Sequence, residues 1–552
     1  MDHPDNFGTP RPQPIVSLSR LAPVLIVAAA LLAYANSLHG PMIFDDIPAI
    51  QRNPSIHQFW PLSVPLATIP ASAIHSRPIA NFSLAINYAL GGLDPMGYHI
   101  VNLILHVLTA LLLFNVVRRT LALPRFGEPL RGSATGIALT VALIWSVHPL
   151  ATNVVTYIIQ RTEGLMALFY LLTLYCVIRG ATLPRATPWH VAAVIACALG
   201  MGTKEVMVSA PLVVLLYDYS FLSQSLRSAW RQRRLLHIAL AATWLVVIAG
   251  FFNTDFAVKR GGGDPFSTLQ YLRTQSEVIV HYVKLSFWPS PLVLDYLDWP
   301  IAHLSLPLVA SCVAILATLA ATAWALRYRP ALGFLGAFFF LILAPTSSFL
   351  PLWGEVAAER RMYLPLIPII VVVVLGCHTA VMAAVTARRL TLPQCRWIAS
   401  AAIAVLVAIL TTATARRNDD YRSALAIWSD TAAKRPGNWR AFTELGTALA
   451  ADGRPAEAVA NYQRAVQLRP DYAMAWANWG VALGMEGKLD DAVTKLEKAI
   501  ELNPRSAYAH YNLGLAFSKQ GRPTLANAQF HEALRVDPSF TQARARLEQA
   551  KI

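Results

Sequence analysis

Charge is scarce in this sequence. Asp, Glu, Lys and Arg make up 14% of its 552 residues, against about 25% in an ordinary soluble protein. With 55% hydrophobic residues and a mean hydropathy of +0.45, that shortage excludes a water-soluble fold for most of the chain. Cysteine is also sparse. Cys176, Cys197, Cys312 and Cys377 lie in apolar segments and Cys395 in a basic loop. None forms a CxxC pair or a Cys/His metal spacing, so the expectation is buried small hydrophobes and no disulfide framework. A nucleotide-binding glycine loop is absent, and so is a Ser/His/Asp series. Acidic residues are in the minority, and the net charge is +15. The excess arginines sit in short loops between apolar segments: Arg118, Arg119, Arg125 and Arg131; Arg227, Arg231, Arg233 and Arg234; Arg327 and Arg329; Arg388, Arg389 and Arg396. That spacing orients membrane spans and excludes nucleic acid as a partner.

What is present is a series of apolar segments close to the roughly 20 residues a bilayer requires. They fall at about 21–38, 99–117, 134–150, 164–178, 188–201, 206–222, 236–252, 304–326, 332–350, 362–385 and 398–415. The fold expected is all-α and polytopic. Residues 1–20, with Arg11 and Arg20, form a cytoplasmic N-terminus, and 21–415 a transmembrane domain of about eleven spans with outer loops at 39–97 and 253–303. Ala33-Tyr34-Ala35 resembles a signal-peptidase site, but the apolar run continues to Leu38 and reads as an uncut anchor. Val278–Trp288 is too short to span and reads as interfacial or re-entrant. An odd number of spans puts the C-terminus outside.

From Arg416 the composition becomes that of a soluble helical domain. Pro436, Pro470, Pro504 and Pro538 recur at a 34-residue spacing, with Gly446, Gly480 and Gly514 and the alanines after them in register. This period predicts tetratricopeptide repeats at 438–471, 472–505 and 506–539, a leading helix at 421–434 and a cap at 540–551, all within an outer domain 416–552.

Chemistry concentrates at the expected outer ends of spans. Phe44-Asp45-Asp46 follows the first span, and the same loop holds His75, Arg77 and Asp94, with His99 beyond it. Trp145-Ser146-Val147-His148-Pro149, Gln160-Arg161-Thr162-Glu163, Thr203-Lys204-Glu205 and Glu359-Arg360-Arg361-Met362-Tyr363-Leu364-Pro365 sit at later ends. Ionisable side chains are costly at such places and point to function, whereas a single one is explained by snorkelling. Asp45 or Asp46 can deprotonate an acceptor hydroxyl. Lys204, Arg360, Arg161 and Arg77 can neutralise a departing lipid phosphate. His75, His99, His148, Glu205, Glu359 and Tyr363 are supporting residues. The two aspartates could also hold a divalent cation through oxygen, although no dedicated cage is present.

Tyr34-Ala35-Asn36-Ser37-Leu38, Phe44-Asp45-Asp46, Asn53-Pro54, Arg77-Pro78, Gly97-Tyr98-His99-Ile100-Val101-Asn102 with His106, His148-Pro149, Arg161, Lys204-Glu205, Pro291-Leu292 with Asp295-Tyr296, and Glu359-Arg360 with Tyr363-Leu364-Pro365 follow one another in order. In this order, ahead of the repeats, they resemble the transmembrane and tetratricopeptide-repeat O-mannosyltransferases. The resemblance implies a GT-C-type glycosyltransferase that takes a polyprenyl-phosphate-linked sugar on the outer membrane face. Its acidic pair maps to Asp45 and Asp46, and inverting chemistry makes one of them the base. The short repeat array, compact loops and high Ala/Arg usage look bacterial. They suggest an inner-membrane protein with repeats on the periplasmic side, an undecaprenyl-phosphate sugar as donor and a protein or glycan as acceptor. Two other readings remain open: a repeat-bearing membrane scaffold for envelope or secretion assembly, and an O-antigen polymerase or ligase.

Overall fold

The computed structural model describes residues 18–67, 72–223, 225–252, 267–347, 354–388 and 391–549. Arg11 and the start of the N-terminal segment, part of the loop 253–303, the end of the segment 332–350, Arg389 and the last three residues lie outside them. The described residues form helices and no strand. The first half runs α1 (Leu18–Tyr34), α2 (Ser63–Leu66), α3 (Pro78–Gly91), α4 (Pro95–Leu121), α5 (Glu128–Ser146), α6 (Thr152–Thr156), α7 (Arg161–Thr182), α8 (Ala186–Met201), α9 (Ala210–Tyr217), α10 (Leu226–Ala242) and α11 (Trp244–Phe252). After it come α12 (Thr268–Phe287), α13 (Leu306–Tyr328), α14 (Pro330–Leu343), α15 (Leu366–Thr386) and α16 (Leu392–Asp420). The repeat region holds α17 (Ala424–Lys434), α18 (Trp439–Ala451), α19 (Pro455–Leu468), α20 (Ala473–Met485), α21 (Leu489–Leu502), α22 (Ala507–Lys519), α23 (Pro523–Val536) and α24 (Thr541–Gln549).

Eight described helical stretches are long and apolar enough to cross a bilayer, and α5 with its continuation into α6 adds a span bent by 55°. The shorter apolar helices α8 and α14 lie at two further apolar segments. Helix α12, which covers Val278–Phe287, is longer than its apolar run and is not among the candidate spans. Its Tyr271, Val278 and Tyr282 are buried, and its other face carries Arg273 and Lys284. Helix starts follow local chemistry. Proline opens α3 and α4 where no N–H partner is needed. Asp94 caps α4 by accepting from Met96 N at 3.1 Å, and Thr391 with Gln394 forms a capping box on α16. Cys176, Cys197 and Cys395 are buried, Cys312 is half-buried, and Cys377 is exposed on α15, on the surface of a membrane helix rather than inside the core.

Each repeat closes on a small residue. A Cβ on Gly446, Gly480 or Gly514 would stand 2.6–2.7 Å from Tyr462, Leu496 or Phe530 of the paired helix, so glycine permits the close crossing. Gly453, Gly487 and Gly521 turn the chain between the paired helices with φ of 73–81°, a left-handed backbone that favours glycine.

The repeats are docked onto the membrane domain, at the end that carries Asp45. Near the base of α16, Thr414 donates to Val147 O at 2.7 Å and Asn418 to Ala33 O at 2.9 Å. Trp428 of α17 packs edge-on against Phe44 at 5.2 Å. Arg435 pairs with Asp298 at 2.7 Å, and Lys434 donates to Leu292 O at 2.9 Å. Arg440 grips Asp295 with two hydrogen bonds of 2.8 Å, a bidentate geometry that fixes orientation as well as distance.

Candidate active site

The acidic pair is divided by its surroundings. Phe44 adopts a left-handed φ of 45°, and this turn sends the two aspartates to different places. Asp46 is fully buried. Its Oδ2 accepts from Ile43 N at 3.0 Å and its Oδ1 from Ile159 N at 2.8 Å. It therefore ties the turn to the segment ahead of α7. Burial pushes its pKa up to about 8 against those two hydrogen bonds. Both oxygens of Asp46 are thus engaged by main-chain N–H groups in an enclosed position. Among the described residues no cluster of three His, Cys, Asp or Glu stands in metal-binding array.

Asp45 is half-buried. Its backbone N–H donates to Tyr157 Oη at 3.0 Å, which steadies the main chain. Burial raises its carboxyl pKa, Arg360 opposes this, Glu355 adds to it, and Arg440 opposes it again. Charges from two separate parts of the chain, 355–360 and Arg440, thus meet at this carboxylate.

Among the cations, hydrogen-bond saturation separates open groups from structural ones. Arg161 is buried, with Nε on Asn102 Oδ1 at 2.8 Å, Nη1 on Asn87 Oδ1 at 2.6 Å and Ser83 O at 3.2 Å, and Nη2 on Tyr98 O at 3.0 Å. Expected as a phosphate ligand, it is instead a tie between α3, α4 and α7, because its nitrogens are already taken. Arg77 gives Nη1 to Ala73 O at 2.8 Å and pairs with Glu205 at 3.1 Å. Lys204 and Arg360 differ. Lys204 is buried and ion-paired with Glu163, and Arg360 gives Nη2 to Glu355. Neither has another hydrogen-bond acceptor among the described residues. Burial lowers the Lys204 pKa, with Glu163 opposing. Burial would raise the Glu355 pKa, but Arg360, Arg361 and Lys204 together hold it below the ordinary value. Lys204, Arg360, Glu355 and Glu163 thus form one interacting group, and Asp45 faces it through Arg360 and Glu355.

The remaining candidates are framework. Glu359 accepts from Val293 N at 2.5 Å and Tyr296 Oη at 2.8 Å, which shapes the loop that meets the repeats. Tyr363 Oη bonds His106 Nδ1 at 2.6 Å, and its carbonyl accepts from Trp145 Nε1 at 2.7 Å. His148 accepts from Leu150 N and donates to Ser286 O, both at 3.2 Å. His99 donates to Gly40 O at 2.9 Å. His75 is half-buried in the turn that leads into α3.

Reading the sequence by motif misses four participants. Tyr157 and Glu355 sit in segments with no recognisable spacing. Arg440 and Glu444 lie in the first repeat, on α18, and both act on Asp45 electrostatically. Their signal is visible afterwards: the next repeats carry Met474 and Asn478, then Tyr508 and Asn512, at the same 34-residue positions. Two charges where the pattern elsewhere is uncharged mark the repeat that faces the site.

An apolar cavity of about 260 Å³ lies among α4, α5, α7, α14 and α15. Its lining includes Ile367 and Pro368, close in sequence to Arg360, and extends to Leu121 and Phe126 near the other end of the span.

Residues 75–252 match the family described as dolichyl-phosphate-mannose-protein mannosyltransferase, and residues 414–473 and 485–521 match tetratricopeptide repeat families. Protein O-mannosyl-transferase F38B6.6 of Caenorhabditis elegans is 23% identical over 81% of this chain and 62% of its own length. Protein O-mannosyl-transferase Tmtc3 of Drosophila melanogaster is 24% identical over 80% of this chain and 54% of its own length. The chain therefore spans less than two thirds of these relatives. Among solved structures, ArnT from Cupriavidus metallidurans bound to undecaprenyl phosphate aligns over 88% of this chain and 80% of its own, at 16% identity and a TM-score of 0.38. With a mannosyltransferase-family match within the membrane domain and tetratricopeptide matches after it, the chain is similar to the protein O-mannosyl-transferases.

Proposed function

We propose that this protein is an inverting glycosyltransferase that moves a sugar from a polyprenyl-phosphate donor to an acceptor hydroxyl on the outer face of the membrane, with Asp45 as the base. The observation that carries the reading is the division of the acidic pair: Asp46 is consumed by two backbone hydrogen bonds, whereas Asp45 is held at the edge of the group formed by Arg360, Glu355, Lys204 and Glu163. Asp45 takes the acceptor proton, the acceptor oxygen bonds to the anomeric carbon, and the bond from that carbon to the phosphate oxygen breaks. The charge that develops on the phosphate is met by Lys204 and Arg360, preorganised by their own carboxylates. The apolar cavity beside Ile367 suits part of the lipid tail. The mannosyltransferase-family match and the names of the relatives support a sugar-transfer chemistry and a protein acceptor. The membrane domain is of GT-C type in this reading. Its site end and docked repeats face the periplasm of a bacterial inner membrane.

The test uses the full chain in lipid nanodiscs with short-chain polyprenyl-phosphate sugars, and reads release of polyprenyl phosphate. Asp45→Asn is expected to reduce release at least about hundredfold while thermal unfolding stays at the wild-type temperature. Lys204→Ala and Arg360→Ala are expected to weaken use of the donor. Wild-type release by Asp45→Asn removes it as base, and no release from any donor overturns the transferase reading.

A further inference from the structure

The apolar cavity is closed at one end and open at the other. Toward Arg360 its wall is Ile367, Pro368 and Val371, all buried, with Ile367 only 7% exposed. At the far end Leu332 is 54% exposed, and Phe126, Leu130 and Ala331 are half-buried. That end lies where α4 finishes and α5 and α14 begin. The first turns of α4 touch the Asp45 loop, through His99 on Gly40 O. Its last turn is about 40 Å further on, at 1.5 Å per residue. The mouth of the cavity therefore opens toward the leaflet opposite Asp45.

Nothing inside calls for a hydrogen bond. Thr120 and Tyr217 are the two polar side chains in the lining. Thr120 Oγ1 donates to Val116 O at 2.7 Å and accepts from Tyr217 Oη at 2.7 Å. Both hydroxyls are thus satisfied within the wall. A dry, apolar cavity suits a hydrocarbon chain and gives a sugar or a peptide no partner.

The mouth, by contrast, is cationic. Arg125 lays its guanidinium over the ring of Phe221, itself a lining residue, at 5.8 Å. Arg329 stands just ahead of Pro330 and Ala331 at the start of α14. Both arginines are exposed, and neither side chain has a hydrogen bond or a carboxylate partner among the described residues. Glu128, the acidic residue nearest to Arg125 in the sequence, pairs with Arg131 at 3.5 Å. Snorkelling brings arginines to any membrane surface, but it does not set one on a ring that lines an open apolar cavity. A guanidinium matches a phosphate oxygen pair and repels an ammonium. An apolar cavity that ends under unpaired guanidiniums is the complement of an amphiphile with an anionic head. In the reading above, the donor phosphate lies at the other end, on Lys204 and Arg360. A donor tail coming from there meets only the closed end at Ile367.

We infer that this cavity binds an acyl chain of an anionic glycerophospholipid from the leaflet opposite Asp45, with the lipid phosphate on Arg125 and Arg329. The inference does not depend on the sugar-transfer reading, and its test reads binding without turnover.

The experiment places the full chain in phosphatidylcholine nanodiscs that contain a few per cent of phosphatidylglycerol with a diazirine in one acyl chain. After irradiation, the adducts are mapped by mass spectrometry. They are expected on Phe126, Phe221 and Leu332. Arg125→Gln combined with Arg329→Gln is expected to lower their yield about tenfold, as loss of two cation contacts to an anionic lipid implies. On unaltered protein, phosphatidylcholine with the same diazirine chain is expected to label these positions about tenfold less, a comparison that no folding defect can produce. Excess polyprenyl phosphate is expected to leave the adducts in place. Equal labelling by the two lipids overturns the site, and so do adducts as strong on the lipid-facing sides of α13 and α16. Loss of the adducts to polyprenyl phosphate overturns it too, and gives the whole cavity to the donor.

Discussion

The membrane domain and the repeat array solve helix packing in opposite ways. In the membrane domain, alignment depends on single buried polar ties. Arg161 gathers α3, α4 and α7, Asp46 binds two backbone N–H groups, and Tyr363 links His106 to Trp145. Lipid supplies no hydrophobic drive between helices, so directional contacts and close backbone approach decide the arrangement. In the repeats, alignment depends on a periodic small residue, and most ion pairs are exposed pairs such as Arg454 with Glu457 and Lys498 with Glu501, which water screens. The first region is unique at every position, and the second is modular. The candidate active site forms where the two meet, with carboxylates and cations from the first and Arg440 and Glu444 from the second.

That contrast makes an ordered set of expectations. The largest effect belongs to Asp46→Ala. It leaves the buried N–H groups of Ile43 and Ile159 without acceptors, at about 1–3 kcal/mol each. The folded yield in size-exclusion chromatography should fall sharply, and the remaining protein should melt earlier than Asp45→Asn. If Asp46→Ala melts with the wild type, the picture of single decisive ties in the membrane domain is broken.

A smaller, graded effect separates two glycines. A Cβ at Gly333 on α14 would stand 2.2 Å from Leu326 N of α13, which is backbone and cannot rotate aside. A Cβ at Gly446 meets the Tyr462 ring at 2.7 Å, and a ring edge can shift. Gly333→Ala should therefore cost more, about 1–3 kcal/mol, and Gly446→Ala less. Differential scanning fluorimetry of the two variants checks the order, and a reversed order would mean the repeats pack more rigidly than the membrane hairpin.

The smallest effect is a pH slope. Burial, opposed by Arg440 and aided by Asp45, pushes the Glu444 carboxyl up to about 7 from an ordinary 4.5. Between those values the folded state holds a proton that the unfolded state has lost. Stability contributed by Glu444 therefore falls as pH rises through this window and levels off above it. Glu444→Gln should flatten that part of the slope in melts taken from about pH 5 to pH 8. An unchanged slope would assign the dependence to Asp45 or Asp46, which shift in the same direction.

Much of the architecture is legible in composition and period, because both record burial directly. Apolar runs mark the membrane helices, and the 34-residue recurrence of Gly446, Gly480 and Gly514 marks the repeats before any contact is known. The site is legible only as a pool of candidates. Asp45 and Asp46 are adjacent and chemically identical in the sequence, as Arg161 and Arg360 are both arginines at span ends. No local pattern says which of them has its hydrogen bonds already satisfied.

By itself the sequence determined a polytopic helical membrane domain, a tetratricopeptide array after it and a set of ionisable residues at span ends, since hydropathy and periodicity are properties of neighbouring residues. Only the tertiary structure decided that Asp46 is a staple and Asp45 open, that Arg161 is spent while Lys204 and Arg360 are not, and that Arg440 and Glu444 of the repeats stand at the site. The physical reason is saturation. Whether a polar group is free to act depends on partners that the chain brings from far along its length, as with Asp46 and Ile159 or Asp295 and Arg440.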